Sequence, residues 1–164
     1  MHHSAQKLDA LFQISQKMGG QYELQELLDL IITKAVKVLR ARTGSLMLIE
    51  PHSGRLVMRA VVGFRSDIMR TMKLRVGEGV TGQCALHAGP VLVTDTTRHL
   101  GYIEAIPGTL SELAVPLMHE GKVLGVVNVD SERLSAFTKQ DLKLLVTFAS
   151  WAAVAIRMAK SFSV

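Results

Sequence analysis

The segment that decides the fold reads Gly125-Val126-Val127-Asn128-Val129-Asp130, an apolar run with one amide in its middle. Its β-branched residues are typical of a buried strand. Successive side chains of a strand point to opposite faces, so Val127 and Val129 are predicted to face a helix layer. Val126, Asn128 and Asp130 then face the other side. A buried amide needs hydrogen-bond partners, and those of Asn128 come either from a bound ligand or from the protein itself.

Working outward, this segment is the second half of a predicted hairpin. Its strands are residues 113–118 and 122–130, and Glu120-Gly121 forms the turn. Further strands are predicted over residues 43–50, 55–64 and 91–95. Pro51-His52-Ser53-Gly54 fits a hairpin loop between the first two of them. Residues 96–108 have no regular pattern, and a loop of this length inside a compact domain often covers a site.

Apolar residues at helical spacing predict helices on both sides of the strands. The helix before the strands carries the stripe Leu24, Leu27, Leu28, Ile31, Ala35, Val38 and Leu39. The last helix, residues 138–160, carries Leu142, Leu145, Val146, Ala149, Ala152, Ala153 and Ile156. An earlier helix is predicted from Leu8, Leu11, Phe12, Ser15 and Met18 and ends at Gly19-Gly20. Residues 67–72 are predicted to form one helical turn. This order of elements predicts an α+β fold with an antiparallel sheet.

Length and composition indicate one folded domain. A chain of 164 residues can bury a sizeable core, and 48% hydrophobic residues argue against disorder. The start Met1-His2-His3-Ser4 lacks the apolar core of a signal peptide, and the longest nearly apolar run, residues 146–156, is too short to span a bilayer. We therefore expect no membrane association. The single cysteine, Cys84, cannot form an intrachain disulfide, which suits a reducing compartment such as the cytoplasm.

The net charge of +5 is unevenly distributed. Residues 34–75 contain ten basic and two acidic side chains, a net +8. Such a segment can attract an anionic ligand or an acidic neighbouring domain, or it can form a solvated surface. The cations are spread over several predicted elements without interleaved aromatic residues. We therefore do not expect nucleic-acid binding.

A glycine-rich segment, Gly77-Glu78-Gly79-Val80-Thr81-Gly82, opens a short predicted helix. Glycines before a helix can expose backbone N–H groups to an anion, but no Lys-Ser or Lys-Thr pair follows, and the spacing of a dinucleotide-binding loop is missing. Together with residues 125–130 and the helix start Phe137-Thr138-Lys139-Gln140-Asp141, this segment resembles a GAF domain, a ligand-sensing module. The resemblance extends from about Leu24 to Met158. It implies a six-stranded antiparallel sheet with the N- and C-terminal helices on one face and short helices plus a long loop on the other.

The resemblance also implies a ligand pocket between the sheet and residues 94–108. The residues that it places there are Ser45, Met47, Val80, Thr81, Asp95, Arg98, Tyr102, Val126 and Asn128. A small serine can be half-buried without a ligand, and loop residues such as Asp95 can be solvated, so both readings stay open. The apolar walls permit a nucleotide base, a haem or a metabolite, and the cofactor is left unidentified.

The chain departs from the pattern of cyclic-nucleotide-binding relatives. These carry an Asn-Lys pair followed by Phe, three residues and Asp-Glu. Phe137 and Asp141 match that pattern, but Ser131 and Glu132 stand at the Asn-Lys positions and Leu142 replaces the final Glu. The departure weakens the assignment of cyclic GMP or cyclic AMP as the ligand.

Catalytic and metal-binding readings have less support from the sequence. Family members that reduce free methionine sulfoxide need several cysteines, and bilin-binding members have a Cys-His pair, whereas Cys84 precedes Ala85. His87, His99 and His119 show no metal-ligand spacing. We therefore predict no catalytic residues and no metal ligands, and we expect Cys84 to be a packing residue of a helix.

These observations lead to a functional expectation. Residues 21–164 are predicted to form a cytoplasmic sensory domain that binds a small molecule and signals through its terminal helices to an output domain of a larger signalling protein. Residues 1–20 are predicted to form a dimerisation or linker helix, because Leu8, Leu11 and Phe12 have little sequence nearby to bury them. A homodimer is expected. The alternatives are a dimerisation module without a ligand and an enzyme of the sulfoxide reductase kind.

Overall fold

A computed structural model describes residues 24–63 and 73–162 of the chain. In chain order, the elements are α1 Leu24–Leu39, β1 Thr43–Ile49, β2 Arg55–Val62, β3 Lys73–Arg75, α2 Gly79–His87, β4 Val91–Val93, a 3₁₀ turn Thr96–Arg98, β5 Ser111–His119, β6 Lys122–Ser131 and α3 Lys139–Phe162. The strands form one antiparallel sheet in the order β3-β2-β1-β6-β5-β4. The predicted α+β class with a six-stranded antiparallel sheet is confirmed.

The register of the central strands confirms which face each side chain occupies. Val127 of β6 lies opposite Leu46 of β1 and Val115 of β5, and all three are buried in the core between the sheet and the long helices. Asn128 lies opposite Ser45 and Ala114, on the other face. The alternation read from the sequence is therefore correct, because a paired strand cannot rotate its side chains out of period 2.

Helices α1 and α3 pack against each other and against one face of the sheet. The buried arc of α1 differs from the predicted stripe: Ile32 and Val36 are buried, whereas Val38 is 42% exposed. The physical reason is a close approach to β1, since a Cβ atom on Gly44 would lie only 2.5 Å from Val36 Cγ2. The helix therefore turns its Ile32–Val36 side toward the sheet, and Val38 faces away.

Helix α3 begins at a reciprocal cap. The backbone N–H of Thr138 donates to Asp141 Oδ2 at 2.8 Å, and the N–H of Asp141 donates to Thr138 Oγ1 at 3.2 Å.

The buried side of α3 differs from the predicted stripe: Val146, predicted on the buried side, is 42% exposed, whereas Phe148 is buried. Residues 139–159 are long and apolar enough to cross a membrane, but a helix with Ala149 and Ala152 buried against α1 and the sheet matches the core helix of a folded domain.

The other face of the sheet carries α2 and a long connection, residues 94–110, which we call the cover loop. Strand β4 ends at Val93, two residues before the predicted boundary, because Asp95 leaves the sheet to cap the 3₁₀ turn. Gly82 lies in the first turn of α2, where a Cβ atom would lie 2.6 Å from the carbonyl oxygen of Arg75 in β3. The predicted short helix after the glycine segment is confirmed, whereas β3 before it was not predicted.

Three predictions fall outside the described residues. They are the helix over Leu8–Met18, the helical turn at residues 67–72 and the end of the second strand at Phe64. The division of the chain into residues 1–20 and 21–164 likewise stays a prediction.

Candidate functional site

A small cavity lies between the sheet, α2 and the cover loop. Its wall consists of Ser45, Met47, Met58, Leu74, Gly79, Val80, Thr81, Ile103, Ala105, Glu112 and Asn128. The volume open to the centre of a water molecule is about 30 Å³. That space suffices for one or two water molecules, and a larger ligand requires the cover loop to move outward. Five of the nine predicted site residues, Ser45, Met47, Val80, Thr81 and Asn128, line this cavity.

The carboxyl of Glu112 is the one acidic group in the cavity wall, and our sequence reasoning did not identify it. Glu112 is buried, and burial raises the pKa of its carboxyl to about 8, with the negative charge of Asp130 as a further cause. No hydrogen bond to this carboxyl comes from residues 24–63 or 73–162. The available signal was an acid in an apolar strand, Ser111-Glu112-Leu113-Ala114-Val115, at the position whose side chain shares the face of Asn128.

Three further polar groups surround the cavity. The hydroxyl of Ser45 donates a short hydrogen bond to Asn128 Oδ1, so these two predicted residues contact each other. The amide nitrogen of Asn128 has no hydrogen-bond acceptor within the described parts of the chain. Thr81 Oγ1 is buried and has no partner there either. A carboxyl, an amide N–H₂ and a hydroxyl thus converge on one small space with hydrogen-bonding capacity to spare.

A second polar cluster lies behind Glu112, at the end of β6. Asp130 is the register partner of Glu112 across β5 and β6, and burial raises the pKa of Asp130, against the opposing effects of Thr43, Arg42 and Thr109. Arg42 Nε lies 3.4 Å from Asp130 Oδ1. This ion pair lacks a well-aligned hydrogen bond, since Arg42 Nε and Asp130 Oδ1 both remain without one.

The other four predicted site residues lie off the cavity wall. Asp95 caps the 3₁₀ turn through a hydrogen bond from the N–H of Thr97, and the hydrogen bonds from Thr97 hold its pKa below the ordinary value. Arg98 is 88% exposed in its side chain and lies 3.7 Å from Asp95 Oδ2. Tyr102 packs against the apolar cluster under the cavity, and burial raises its pKa to about 12. Val126 is fully buried in the same cluster.

Cys84 of α2 is fully buried beneath the cavity. Burial raises the pKa of its thiol to about 12, and the nearby Glu112 charge acts in the same direction. A thiol in this state is a poor nucleophile, because the thiolate is the reactive form. The predicted packing role of Cys84 agrees with this environment. Within the described residues, no group of three or more His, Cys, Asp or Glu side chains is arranged to hold a metal ion.

Sequence comparison finds relatives among proteins of different kinds, including a regulatory protein. It is 33% identical over 73 residues to GAF domain-containing protein A of Dictyostelium discoideum, covering 44% of this chain and 46% of that protein. It is 23% identical over 164 residues to the Nif-specific regulatory protein of Herbaspirillum seropedicae, covering 94% of this chain and 30% of that protein. The chain thus spans less than half the length of either relative.

Structural comparison gives the same fold. The GAF domain of an Acinetobacter phosphoenolpyruvate-protein phosphotransferase superposes with a TM-score of 0.83 at 22% identity, covering 97% of both chains. Free methionine-R-sulfoxide reductase of Neisseria meningitidis, solved in complex with its substrate, superposes with a TM-score of 0.81 at 24% identity, covering 93% of this chain and 89% of that one. A sequence profile of the GAF domain matches residues 21–157, which is most of the chain. With its six-stranded sheet flanked by helices on both faces, the chain belongs to the GAF domain family.

Proposed function

We propose that this GAF domain is a sensory module that binds a small molecule between the sheet and the cover loop. Its cavity is the observation that carries the proposal: the carboxyl of Glu112 and the amide of Asn128 line it together with the hydroxyl of Thr81, which is buried without a partner in the described chain. Buried polar groups are costly unless they are hydrogen-bonded, and a ligand can supply the missing bonds. In this proposal, binding shifts the terminal helices and thereby an output domain, in the cytoplasm.

The chemistry of the wall favours a ligand with a cationic or hydrogen-bond-donating nitrogen. An ammonium group would pair with Glu112 and replace the proton that the carboxyl holds near neutral pH. A phosphate would bring negative charge next to a carboxyl that ionises near pH 8, in a space with little room, and this disfavours a cyclic nucleotide. The substrate-bound Neisseria protein supports the idea that a fold of this kind can hold a small molecule.

Thermal shift with matched probe pairs tests the proposal. Each probe is a free amino acid, and its control is the corresponding 2-oxo acid, which lacks the ammonium group. We expect at least one amino acid to raise Tm in the native protein, by an amount that grows from pH 6 to pH 8 as Glu112 gives up its proton. The shift should be lost in Glu112→Gln. Absence of any shift across amino acids, amines and nucleotides at millimolar concentration would favour the alternative of a dimerisation module without a ligand.

Dimerisation through the terminal helices is part of the same proposal. Val38 of α1 and Val146, Val154 and Met158 of α3 are between 38% and 44% exposed, and they add apolar surface to the face that α1 and α3 turn to solvent. Light scattering should give twice 17.9 kDa. A monomer at about 100 μM, well above a typical micromolar affinity, would reject the dimer.

A reductase activity is the second candidate, because a free methionine-R-sulfoxide reductase has the same fold. Reduction of a sulfoxide by thiols needs a nucleophilic thiolate and a second thiol to resolve the oxidised sulfur. The chain has one cysteine, and Cys84 is buried with a pKa near 12. We therefore propose a binding role without catalysis. Turnover of free methionine-R-sulfoxide with dithiothreitol as reductant, lost in Cys84→Ala, would reverse this conclusion.

A further inference from the structure

The guanidinium of Arg42 joins three parts of the chain. Its Nη2 donates to Thr109 Oγ1 at 2.6 Å and its Nη1 to the carbonyl oxygen of Pro107 at 3.2 Å, both in the cover loop. Its Nε lies 3.4 Å from Asp130 Oδ1 near the end of β6, and its Nη1 lies 3.7 Å from Oε2 of Glu132, the residue that follows β6. The planar fork of arginine can hold several acceptors at once, which the point charge of lysine cannot.

The backbone of Arg42 connects this fork to helix α1. Helix α1 ends at Leu39, three residues earlier. The N–H of Ala41 donates to the carbonyl of Val36 at 3.0 Å, and the N–H of Arg42 donates to the carbonyl of Asp130 at 2.9 Å. These two hydrogen bonds tie the segment that carries the fork to α1 on one side and to β6 on the other.

The cover loop is held at two places that differ in their partners. Its first half is bound to α2 through Gln83, whose Oε1 accepts from His99 Nε2 at 2.8 Å and whose Nε2 donates to the carbonyl of Leu100 at 3.2 Å. Its last turn is bound to Arg42. Ile103 and Ala105, the loop residues in the cavity wall, lie between these two attachments. Thr109 Oγ1 also donates to the carbonyl of Ile106 at 3.0 Å. This hydrogen bond connects the Arg42 contact to the part of the loop that a ligand must move.

We propose that Arg42 is a positioning residue that couples the end of the cover loop to the C-terminal end of α1. Its role in signalling rests on the proposed function, because a ligand must displace residues 103–105 for the loop to report occupancy. The coupling itself is a property of the free protein. The coupling works in both directions: a change at Thr109 alters the end of α1, and a change at Arg42 alters the base of the loop.

Amide hydrogen exchange on the free 164-residue protein tests the coupling. Thr109→Val removes the hydroxyl that meets Arg42, and the reporter is the N–H of Ala41 at the end of α1. Arg42→Gln removes the fork, and the reporters are the N–H groups of Thr96 and Leu110 at the loop base, which donate to Leu110 O and Ser131 O at 2.9 and 2.8 Å. Arg40→Gln removes an equal charge two residues away, and Thr97→Val removes another loop hydroxyl; these two variants are the controls.

We expect exchange at each remote reporter to become about fivefold faster, a ratio equivalent to about 1 kcal/mol. The double variant Arg42→Gln/Thr109→Val should exchange no faster than Arg42→Gln alone. Arg42→Lys should keep the charge but lose most of the coupling, and Thr109→Ser should keep it. Core amides of β6 report any global loss of stability, which is subtracted.

The proposal is overturned if the remote reporters stay within about twofold of the native protein, or if the two single effects multiply in the double variant, as independent sites do. Should Arg42→Gln fail to fold, Thr109→Val and Thr109→Ser still decide the result at Ala41. Failure of every small molecule to bind would reject the proposed function and leave the measured coupling standing. Absence of coupling would leave ligand binding unaffected.

Discussion

The carboxyl of Glu112 faces that of Asp130 across β5 and β6, because the two residues are register partners in the antiparallel sheet. Side chains of directly opposed residues lie on the same face, about 5 Å apart at their Cβ atoms. Two buried carboxyls so placed do not readily ionise together. Burial raises the pKa of both, that of Glu112 to about 8, whereas Arg42 favours ionisation of Asp130. At neutral pH, Glu112 therefore holds a proton.

This arrangement predicts a decline of stability with rising pH. The pKa of Glu112 is about 8 in the folded protein against an ordinary 4.5, so the folded state binds the additional proton between these values. The contribution to the free energy of unfolding is fully present below about pH 4.5 and is lost as pH rises to about 8. In urea denaturation, Glu112→Gln should lose most of the native dependence on pH over this range and be more stable than the native protein at pH 8. Glu120→Gln, at an exposed turn, should keep the native slope; a slope that survives in Glu112→Gln would contradict the assignment.

The hydrogen bond between Ser45 and Asn128 predicts a non-additive pair of substitutions. Asn128→Leu leaves the buried Ser45 hydroxyl without its acceptor and should lower the free energy of unfolding by about 1–3 kcal/mol. Ser45→Ala/Asn128→Leu removes both partners and should recover most of that loss. Chemical denaturation of the two single variants and the double variant measures this. If Asn128→Leu and the double variant lose the same free energy of unfolding, the cost of Asn128→Leu does not come from the unpaired Ser45 hydroxyl. With an identified ligand, a Tm shift that is preserved in the double variant would remove Asn128 from the binding site.

Gly125 is predicted to be intolerant of any side chain. A Cβ atom there would lie 2.0 Å from the carbonyl oxygen of Met47 in the neighbouring strand, so β1 and β6 would have to separate. Gly125→Ala should cost on the order of 2–4 kcal/mol, at the upper end of single-site effects. Gly89→Ala is the matched control, because its Cβ would meet nothing closer than 3.8 Å, and it should change stability by less than about 0.5 kcal/mol. Similar melting temperatures for the two variants would refute this reading of the β1–β6 contact.

Cys84 is predicted to be unreactive in the folded protein. Its burial and its pKa near 12 leave almost no thiolate at pH 8. Modification by Ellman's reagent should therefore be slow under native conditions and immediate in denaturing urea. Ser53→Cys places a second thiol in an exposed turn, and that variant should react rapidly with one equivalent. If Cys84 reacts in the native protein as fast as that exposed thiol, α2 opens far more readily than its packing indicates.

Local pattern was sufficient for much of the fold. The period of 2 in residues 125–130 assigned Val127 to the helix layer and Asn128 to the cavity face, and the structure agrees, because strand pairing holds side chains in alternation. The short helix after the glycine segment was also readable, since Gly82 makes its closest contact with Arg75, only seven residues earlier in the chain. The resemblance to a GAF domain added the topology, which periodicity left open.

Tertiary structure decided the rest, because it depends on contacts between distant residues. Val38 and Val146 fit the helical stripes but are exposed, since the rotation of each helix follows from close approaches such as Val36 to Gly44. Glu112 reaches Asn128 and Asp130 only through the register of β5 and β6, and Arg42 meets Thr109 across 67 positions of sequence. The sequence by itself determined the two long helices, the short helix after the glycine segment and five of the six strands, but not β3, and the resemblance supplied the position of the pocket. Only the packing of the chain decided which polar groups meet there, because burial and electrostatic coupling are set by neighbours in space.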